Sequence, residues 1–456
     1  MIKHNNLINY HILPIVFSVL LLIFCYPGFM SYDSIRMLEE ARTQVVGGIY
    51  PPGPVYVLRF FDILGHGPTV MIFAQNYLLL FSLNAILLAV GASILQTAIS
   101  LIFFVAMPTV MGAMLVLWKD VTLASIMAAS LAIIFADYTR SPGKLIGNGI
   151  WISLLLIVLS ATIRFNAITA TAVLTVFWIK VYFADKNMLS KLSAFVGITL
   201  VTVVVAGVVN NYRFPSMEKL QPNNLAYAIM SYDLIGVSAW SRNSLVPIDT
   251  AAGGVSEKAK ISDIDKIYSS LGAVEIQNRN SSLGNLVKLY PSGYSHADIF
   301  KAWVAAIFNE PFAYLNYRWD VFSEIIGAKN HETFEPTHFG KIDENNFSIK
   351  FKDNYLTDLV LHYIKLGSLV VIGKPWLFFL GVFVFVFVVG VFGKNISQKN
   401  KALSVYSFAA SMAYLLPFFI ISGTGEVRYT FPSIMFGMVS LFVIFARNQE
   451  GGKDFL

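Results

Sequence analysis

About ten long apolar runs are spread along this chain, and they constrain its fold more than any other feature. Their lengths are close to the roughly 17 to 25 residues that an α-helix needs to cross the hydrocarbon core of a bilayer. Only 13% of the residues are charged, whereas about a quarter is usual for a soluble domain. The sequence therefore predicts an all-α polytopic membrane protein with about ten transmembrane helices. The runs cover residues 12–26, 70–91, 95–116, 121–137, 147–163, 166–183, 194–210, 375–393, 402–422 and 430–446.

Lysine and arginine residues predict which side of the membrane each connection faces. Cytoplasmic connections of membrane proteins carry an excess of these residues. If the N-terminus lies in the cytoplasm, the connections that contain Lys144, Lys186 and Lys399 return there, and so does the C-terminal tail with Arg447. We therefore expect both termini in the cytoplasm and the remaining connections on the outer side of the membrane.

The longest of these outer connections is expected to form a folded unit. Residues 211–374 mix acidic, basic and proline residues with short apolar helical patterns, and roughly 160 residues are enough for an independent core. The stretch 356–373 is apolar but contains His362 and Lys365, so we predict an interfacial helix rather than a further span. The predicted division is a transmembrane region over 1–210 with a first outer loop over 27–69, an outer mixed domain over 211–374, and a second transmembrane region over 375–456.

Charged residues follow the first apolar run directly. If a helix begins near Ser34, then Asp33, Arg36 and Glu40 lie on one stripe, because seven residues make about two helical turns. Glu39 lies next to this stripe. A carboxylate at such a place can take a proton from an attacking hydroxyl group, so the first outer loop is a candidate catalytic segment.

Further charged residues lie where other apolar runs begin or end, on the same predicted outer side. They are Lys119, Asp120, Arg164 and Arg428, and Tyr429 follows the last of them. Charged side chains at membrane depth cost about 2.5 to 3.5 kcal/mol on insertion scales, so they are usually paired or functional. Cations of this kind can bind a phosphate group, and together with the carboxylates they predict a site at this face.

The residues of the first outer loop also have a structural interpretation. Asp33 is a residue type that often caps the N-terminus of a helix, and Arg36 and Glu40 have the spacing of an ordinary helix ion pair. Glu39 and Glu40 could lie on a solvated helix face. The sequence alone leaves these alternatives open.

The other charged residues have structural alternatives too. Lys119 and Asp120 could pair with each other at a helix end, and Arg164 and Arg428 could extend towards lipid headgroups. Tyr429 suits the aromatic belt of a membrane protein. These interpretations require no substrate.

Several functional classes lack their motifs in this sequence. It contains no Walker loop, no dinucleotide-binding fingerprint, no zinc-ligand spacing and no basic face for nucleic acid. The residues His331, Glu332, Glu335 and His338 are of metal-binding types, but Pro336 interrupts the helix that a pair of histidine ligands would use. We therefore expect a polar loop there, and no metal site, no cofactor and no nucleic-acid partner.

Short motifs around the charged residues resemble a known family of membrane enzymes. The chain is similar to multispanning bacterial glycosyltransferases of the GT-C type, and most similar to the glucosyltransferases that decorate O-antigen, including those of serotype-converting phages. The similarity covers most of the membrane portion and leaves residues 211–374 unmatched. The motifs are Tyr26-Pro27-Gly28, Ser31-Tyr32-Asp33-Ser34, Ala41, Pro51-Pro52, Trp118-Lys119-Asp120, Arg164-Phe165-Asn166-Ala167, and Arg428-Tyr429 with Pro432.

The resemblance implies a donor, an acceptor and a place of reaction. Members of this family use a polyprenyl-phosphate sugar, often undecaprenyl-phosphate glucose, and transfer the sugar to a lipid-linked glycan at the periplasmic face of the bacterial inner membrane. An acidic residue in the first outer loop is their usual base, and a single direct displacement inverts the anomeric carbon. The implied catalytic residues are Asp33, Glu40 and Glu39. The residues implied to bind the donor phosphate are Lys119, Arg164 and Arg428. The supporting residues are Asp120, Arg36 and Tyr429.

Two other classes of membrane protein compete with this interpretation. An O-antigen polymerase or ligase is also multispanning with a large outer segment, and it would carry its chemistry on an arginine-rich outer domain. A transporter of lipid-linked sugars would place charged residues near the bilayer centre. The charges of this chain are predicted instead at outer helix ends, which favours the transferase.

Overall fold

A computed structural model of the protein describes most of the chain as helix. The described residues are 4–45, 51–140, 148–211, 225–249, 255–287, 295–329, 334–370, 373–392 and 396–445. The histidine and glutamate at positions 331 and 332, and the basic residues Lys144 and Arg447 that entered the topology prediction, lie outside these ranges.

We define residues 211–374 as the large connecting segment, and the described residues before it form ten helices. They are α1 (His4–Cys25), α2 (Tyr32–Thr43), α3 (Gly53–Ile63), α4 (Gly67–Ala89), α5 (Ile94–Ala106), α6 (Pro108–Met114), α7 (Lys119–Arg140), α8 (Gly149–Ile163), α9 (Ala167–Tyr182) and α10 (Met188–Asn211). Both α2 and α3 lie within the predicted first outer loop, so the described part of that loop is mostly helical.

The connecting segment and the C-terminal part continue the helical pattern. Within the described residues of the connecting segment lie α11 (Leu225–Ser241), β1 (Pro247–Asp249), β2 (Val255–Lys258), α12 (Ile261–Ile267), α13 (Ala273–Ser282), α14 (His296–Asn309), α15 (Pro311–Ile325) and α16 (Tyr355–Leu369). The two strands pair with each other in antiparallel orientation. The C-terminal part contains α17 (Pro375–Phe392), α18 (Gln398–Leu415), α19 (Phe418–Ile421), a 3₁₀ helix (Val427–Thr430) and α20 (Phe431–Phe445).

The described parts of the apolar runs lie mainly on helices. Five helical stretches of the described residues are long and apolar enough to cross a membrane, and α5 and α6 add a sixth if they count as one span. The chain is thus a mainly helical membrane protein with five or six candidate spans. The apolar parts of α1, α8, α9 and α17 are shorter, so the total of ten spans stays a prediction. The five stretches are Gly67–Ala89, Lys119–Thr139, Met188–Val209, Gln398–Ile421 and Val427–Ile444.

The apolar run 95–116 is not one straight span. The axes of α5 and α6 differ by 80° across Met107. Pro108 begins α6, and a proline restricts the residue before it to extended backbone and cannot continue the hydrogen bonds of the preceding helix. The run is divided into two helices, and its prediction as one of the ten spans stays a prediction. After the bend, α6 packs against α16, which is the helix predicted over 356–373.

Serine side chains join α18 to α20 inside the main hydrophobic cluster. The hydroxyl oxygens of Ser404 and Ser440 lie 2.9 Å apart, and those of Ser411 and Ser433 each donate to the other residue's carbonyl, over 2.7 and 2.9 Å. All four residues are buried. In lipid, small residues let two helix backbones approach closely, and their hydroxyl groups add interhelical hydrogen bonds. This contact holds α20, and the 3₁₀ helix before it, against α18.

The connecting segment has a hydrophobic cluster of its own, in which α11 packs against α14 and α15. Inside it Arg318 of α15 forms an ion pair with Asp233 of α11, and both side chains are 1% exposed. Trp303 donates its indole N–H to the same carboxylate over 2.6 Å. Burial raises the pKa of Asp233 to about 6, and Arg318 opposes this shift. The ion pair and the indole hydrogen bond join α11, α14 and α15 inside this cluster. The predicted domain division itself stays a prediction.

At the serine contact between α18 and α20, we expect a larger side chain to reduce stability more than the loss of a hydrogen bond does. Ser404→Leu is expected to destabilise the protein by about 1 to 3 kcal/mol, because it overpacks a close helix contact. Ser404→Ala is expected to cost only about 0.6 kcal/mol, which is typical of a hydrogen bond between membrane helices. Thermal unfolding of the full chain in detergent measures both. Val405→Leu is the control, since Val405 is 51% exposed on the same helix. Equal melting temperatures for the two leucine variants would contradict the close packing.

Candidate functional site

The start of α2 is held between two distant parts of the chain. Phe29 makes two backbone hydrogen bonds, of 3.1 and 2.9 Å, with residues 115–117 after α6. Met30 makes two more, of 2.8 and 3.0 Å, with residues 341–343 of the connecting segment. Both contacts are parallel β-bridges. They place α2 next to the beginning of α7.

Buried amide groups of α4 fix the turn that leads into α7. Asn76 donates its side-chain N–H to Met114 O over 2.8 Å, and Gln75 donates to Val116 O over 3.3 Å. Thr122 in the first turn of α7 donates its hydroxyl to Gln75 Oε1 over 2.9 Å. Each of these polar groups is buried, so the bonds satisfy groups that would otherwise be costly in an apolar interior. The position of Lys119 follows from this scaffold.

Side chains at the N-terminus of α2 complete the scaffold. Ser31 is the N-cap residue of α2, and it accepts a hydrogen bond of 3.0 Å from the indole N–H of Trp118. Ser34 donates its hydroxyl to Leu117 O over 2.8 Å. Asp33 lies in the first turn, so its interpretation as the N-cap residue is wrong. A negative charge in the first turn is favourable next to the positive end of the helix dipole.

A pocket of about 340 Å³, including its open mouth, lies where these segments meet. It brings together Asp33, Lys119 and Arg428, which the sequence predicts as a base and two phosphate-binding cations. Apolar and aromatic side chains form the rest of the wall, and electrostatic interactions in such surroundings are stronger than in water. The lining residues are Asp33, Met37, Pro51, Pro54, Val55, Leu117, Trp118, Lys119 and Arg428.

Arg428 connects the two carboxylates of the site. Its Nη2 donates to Asp33 Oδ2 over 2.5 Å, and its Nε forms an ion pair with Glu426. Its Cζ atom also lies 5.2 Å from the centre of the Trp118 ring, a distance at which a cation–π interaction is favourable. Only 9% of its side chain is exposed. Arg428 therefore does not extend towards lipid headgroups, and that interpretation is wrong.

Arg164 lies behind the pocket rather than in its wall. It forms an ion pair with Asp120, whose side chain is completely buried, and 11% of the Arg164 side chain is exposed. The Tyr429 ring lies 4.3 Å from Arg164 Cζ and 5.7 Å from Arg428 Cζ. Asp120 thus pairs with Arg164, and Tyr429 separates two guanidinium groups. Of the three cations that were predicted to bind a phosphate, Lys119 and Arg428 line the pocket and Arg164 does not.

Three further charged residues of α2, namely Arg36, Glu39 and Glu40, pair with one another. Arg36 contacts Glu39 at 2.9 Å and Glu40 at 3.5 Å. The interpretation of Arg36 and Glu40 as a helix ion pair is confirmed. None of the three residues lines the pocket, and Glu40 is buried whereas Glu39 is partly exposed. The structure therefore brings Asp33 to the two cations and leaves these three residues outside the pocket wall.

The connecting segment holds the loop that carries Arg428. Residues 423–425 make backbone hydrogen bonds of 2.5 and 2.8 Å with residues 271–273, and Arg318 donates to Ser422 O over 2.9 Å. A Cβ atom at Gly425 would lie 2.7 Å from the Cβ of Glu324 on α15, so this approach requires glycine. The loop position depends on α15 as well as on the membrane helices.

Some residues of the site were not predicted as site residues from the sequence. Glu426 pairs with Arg428, and residues 341–343 hold the start of α2. The signal for Glu426 was its position two residues before Arg428 at the edge of an apolar run. No pattern in the sequence indicates the pairing of 341–343 with Met30. Among the described residues, no group of three or more His, Cys, Asp and Glu side chains could hold a metal ion.

Comparisons with known proteins add no identification. No protein-family model matches the chain, and neither a curated protein nor a solved structure matches it. A carboxylate that accepts a proton, next to two cations that bind an anion, suits the transfer of a group away from a phosphate.

We expect a large loss of stability when Asp120 is removed from its buried ion pair with Arg164. Asp120→Asn is expected to cost about 3 to 5 kcal/mol, because it leaves the buried guanidinium of Arg164 without its counter-charge. Asp265→Asn is the matched control, since its partner Arg242 is 65% exposed and such surface pairs contribute about 0 to 1 kcal/mol. Unfolding of both variants in detergent gives the comparison. A cost for Asp120→Asn no larger than that of the control would show that the buried pair does not stabilise the fold.

Proposed function

We propose that the protein is a GT-C-like hexosyltransferase that transfers a sugar from a polyprenyl-phosphate donor to an O-antigen or related cell-envelope glycan. The observation that carries the proposal is the pocket in which Asp33, Lys119 and Arg428 meet. These residues come from three distant segments of an otherwise apolar helical protein. A base and two cations are the groups that displacement of a lipid phosphate by a hydroxyl group requires.

Asp33 is the base in the proposed reaction. An acceptor hydroxyl oxygen attacks the anomeric carbon of the donor, and the bond between that carbon and the phosphate oxygen breaks. The phosphate oxygen keeps the electron pair of that bond, and the hydroxyl proton passes to the carboxylate of Asp33. Because attack and departure occur on opposite sides of the carbon, a single step inverts its configuration.

Lys119 and Arg428 hold the phosphate in this proposal. Negative charge on the leaving phosphate grows towards the transition state, so a fixed cation stabilises that state more than the bound donor. Arg428 donates a hydrogen bond to Asp33. A donor phosphate competes with the Asp33 carboxylate for this guanidinium, and a weaker contact with Arg428 makes Asp33 a stronger base.

The positions of the pocket residues along the helices support a reaction at one membrane face. Asp33 follows α1, Lys119 begins α7 and Arg428 precedes α20, so these helix ends meet at one end of the helical bundle. We assign this end to the periplasmic side of a bacterial inner membrane, with both termini in the cytoplasm. Glucose as the sugar and undecaprenyl phosphate as its carrier rest on the family resemblance.

Asp33→Asn tests the proposed base. It is expected to lower sugar transfer by about 10²- to 10⁴-fold, which is the usual contribution of a general base. The measurement is transfer of labelled glucose from undecaprenyl-phosphate glucose to lipid-linked O-antigen in membranes with matched protein levels. Asp265→Asn on the exposed surface is the matched control and is expected to keep wild-type transfer.

The outcomes of this assay separate the base from the enzyme class. Equal transfer by wild type and Asp33→Asn would contradict the role of Asp33 and keep the transferase. No transfer by the wild type, with other polyprenyl-phosphate sugars also tested as donors, would contradict the transferase. Movement of the intact lipid-linked sugar across the membrane would then favour a transporter.

Lys119→Met tests whether the cation acts on the leaving phosphate. It is expected to lower kcat by about 10²- to 10³-fold, as the loss of one donor to a developing negative charge does in other enzymes. The KM for the donor is expected to change much less, because the interaction strengthens in the transition state. Steady-state kinetics with varied donor give both values. Lys266→Met is the control, since this lysine is 54% exposed on α12. A raised KM with unchanged kcat would mean that Lys119 only binds the donor.

A further inference from the structure

Helix α15 exposes large apolar side chains along one face. Phe312, Leu315 and Trp319 lie along one face, and they are 80%, 47% and 56% exposed. The opposite face is buried and includes Arg318, the largest of the fully buried side chains. A helix at a protein–water boundary has its charged residues outside and its apolar stripe inside. The exposed face of α15 is therefore suited to apolar surroundings.

Helix α14 extends this apolar face. Phe308 is 79% exposed and Phe300 is 52% exposed, and Phe308 and Phe312 stand on either side of the turn between the two helices. Exposed apolar patches of this kind mark sites of interaction with a partner or a membrane. The exposed cation next to Phe300 is Lys301, whose long side chain can reach phosphate headgroups while its stem lies against apolar groups.

The exposed face continues into the surface of a candidate span. The Trp319 and Phe322 ring centres are 6.3 Å apart, and those of Phe322 and Phe419 are 5.7 Å apart. Phe419 belongs to α19, at the end of the candidate span Gln398–Ile421. Its neighbour Ile420 is 55% exposed. The buried ring of Phe322 thus joins the exposed face of α15 to the end of the candidate span. This link to a membrane helix favours the bilayer as the partner of the exposed face.

We propose that the hairpin of α14 and α15 lies in the interfacial layer of the bilayer, with Phe308, Phe312 and Trp319 among the lipid chains. The connecting segment then rests on the membrane and does not stand away from it in water. Amphipathic helices with Trp and Phe on one face lie in the membrane plane in this way. The inference does not depend on sugar transfer. It means that α15, whose Arg318 holds the loop before Arg428, is anchored to lipid on its other face.

A fluorescent label tests the proposal in the full chain reconstituted into phosphatidylcholine vesicles with phosphatidylglycerol. The chain has one cysteine, the buried Cys25, which Cys25→Ala removes. Phe312→Cys then carries an environment-sensitive dye, and Phe312 is exposed enough for the change to leave the core intact. Val204→Cys in the span of α10 and Ser282→Cys on α13 are the lipid and water controls, since both positions are exposed.

Nitroxide-labelled lipid and aqueous iodide quench the dye in different surroundings. At Phe312→Cys we expect lipid quenching comparable with that at Val204→Cys, and iodide quenching at least about threefold weaker than at Ser282→Cys. Trp319→Cys, nearer the span, is expected to behave in the same way. Strong iodide quenching at Phe312→Cys would overturn the proposal, because the face would be in water. Protection from both quenchers would also overturn it, because a protein surface, such as a second copy of the chain, would then cover the face.

Discussion

The cost of burying a charge in apolar surroundings governs the arrangement of this protein. Arg428, Arg164 and Arg318 are all largely buried, and each is paired with a carboxylate. Aromatic rings lie beside each guanidinium. Removal of one partner from a buried pair lowers the free energy of unfolding far more than removal of one partner from an exposed pair. The carboxylates therefore determine where the arginine side chains can lie, and through them how the helix ends meet.

Three parts of the chain meet at the short stretch that contains Arg428. Serine contacts between α18 and α20 hold it from the membrane side, and α15 with residues 271–273 holds it from the connecting segment. The ion pair with Asp33 joins it to α2. Arg428 is therefore fixed by contacts from three segments, and the proposed reaction would use a cation that is preorganised in this way.

The proposed reaction and the proposed lipid contact concern opposite sides of the same helix. The buried face of α15 supports the loop next to the pocket, and its exposed face carries the aromatic side chains of the proposed lipid contact. A donor with a polyprenyl chain must keep that chain in lipid while its phosphate enters the pocket. An outer segment that rests on the membrane keeps the pocket close to the headgroup layer, where such a phosphate lies.

The sequence by itself determined which segments are helical and apolar, because hydrophobic length and the restrictions at proline act locally. Residue types and positions also indicated Asp33, Lys119 and Arg428. Tertiary structure decided that Arg36, Glu39, Glu40 and Arg164 lie outside the pocket wall and that Glu426 completes the arginine's ion pairs. It also decided the contact between Met30 and residues 341–343. These features depend on how segments far apart in the chain pack together, and spacing along the chain carries no information about that packing.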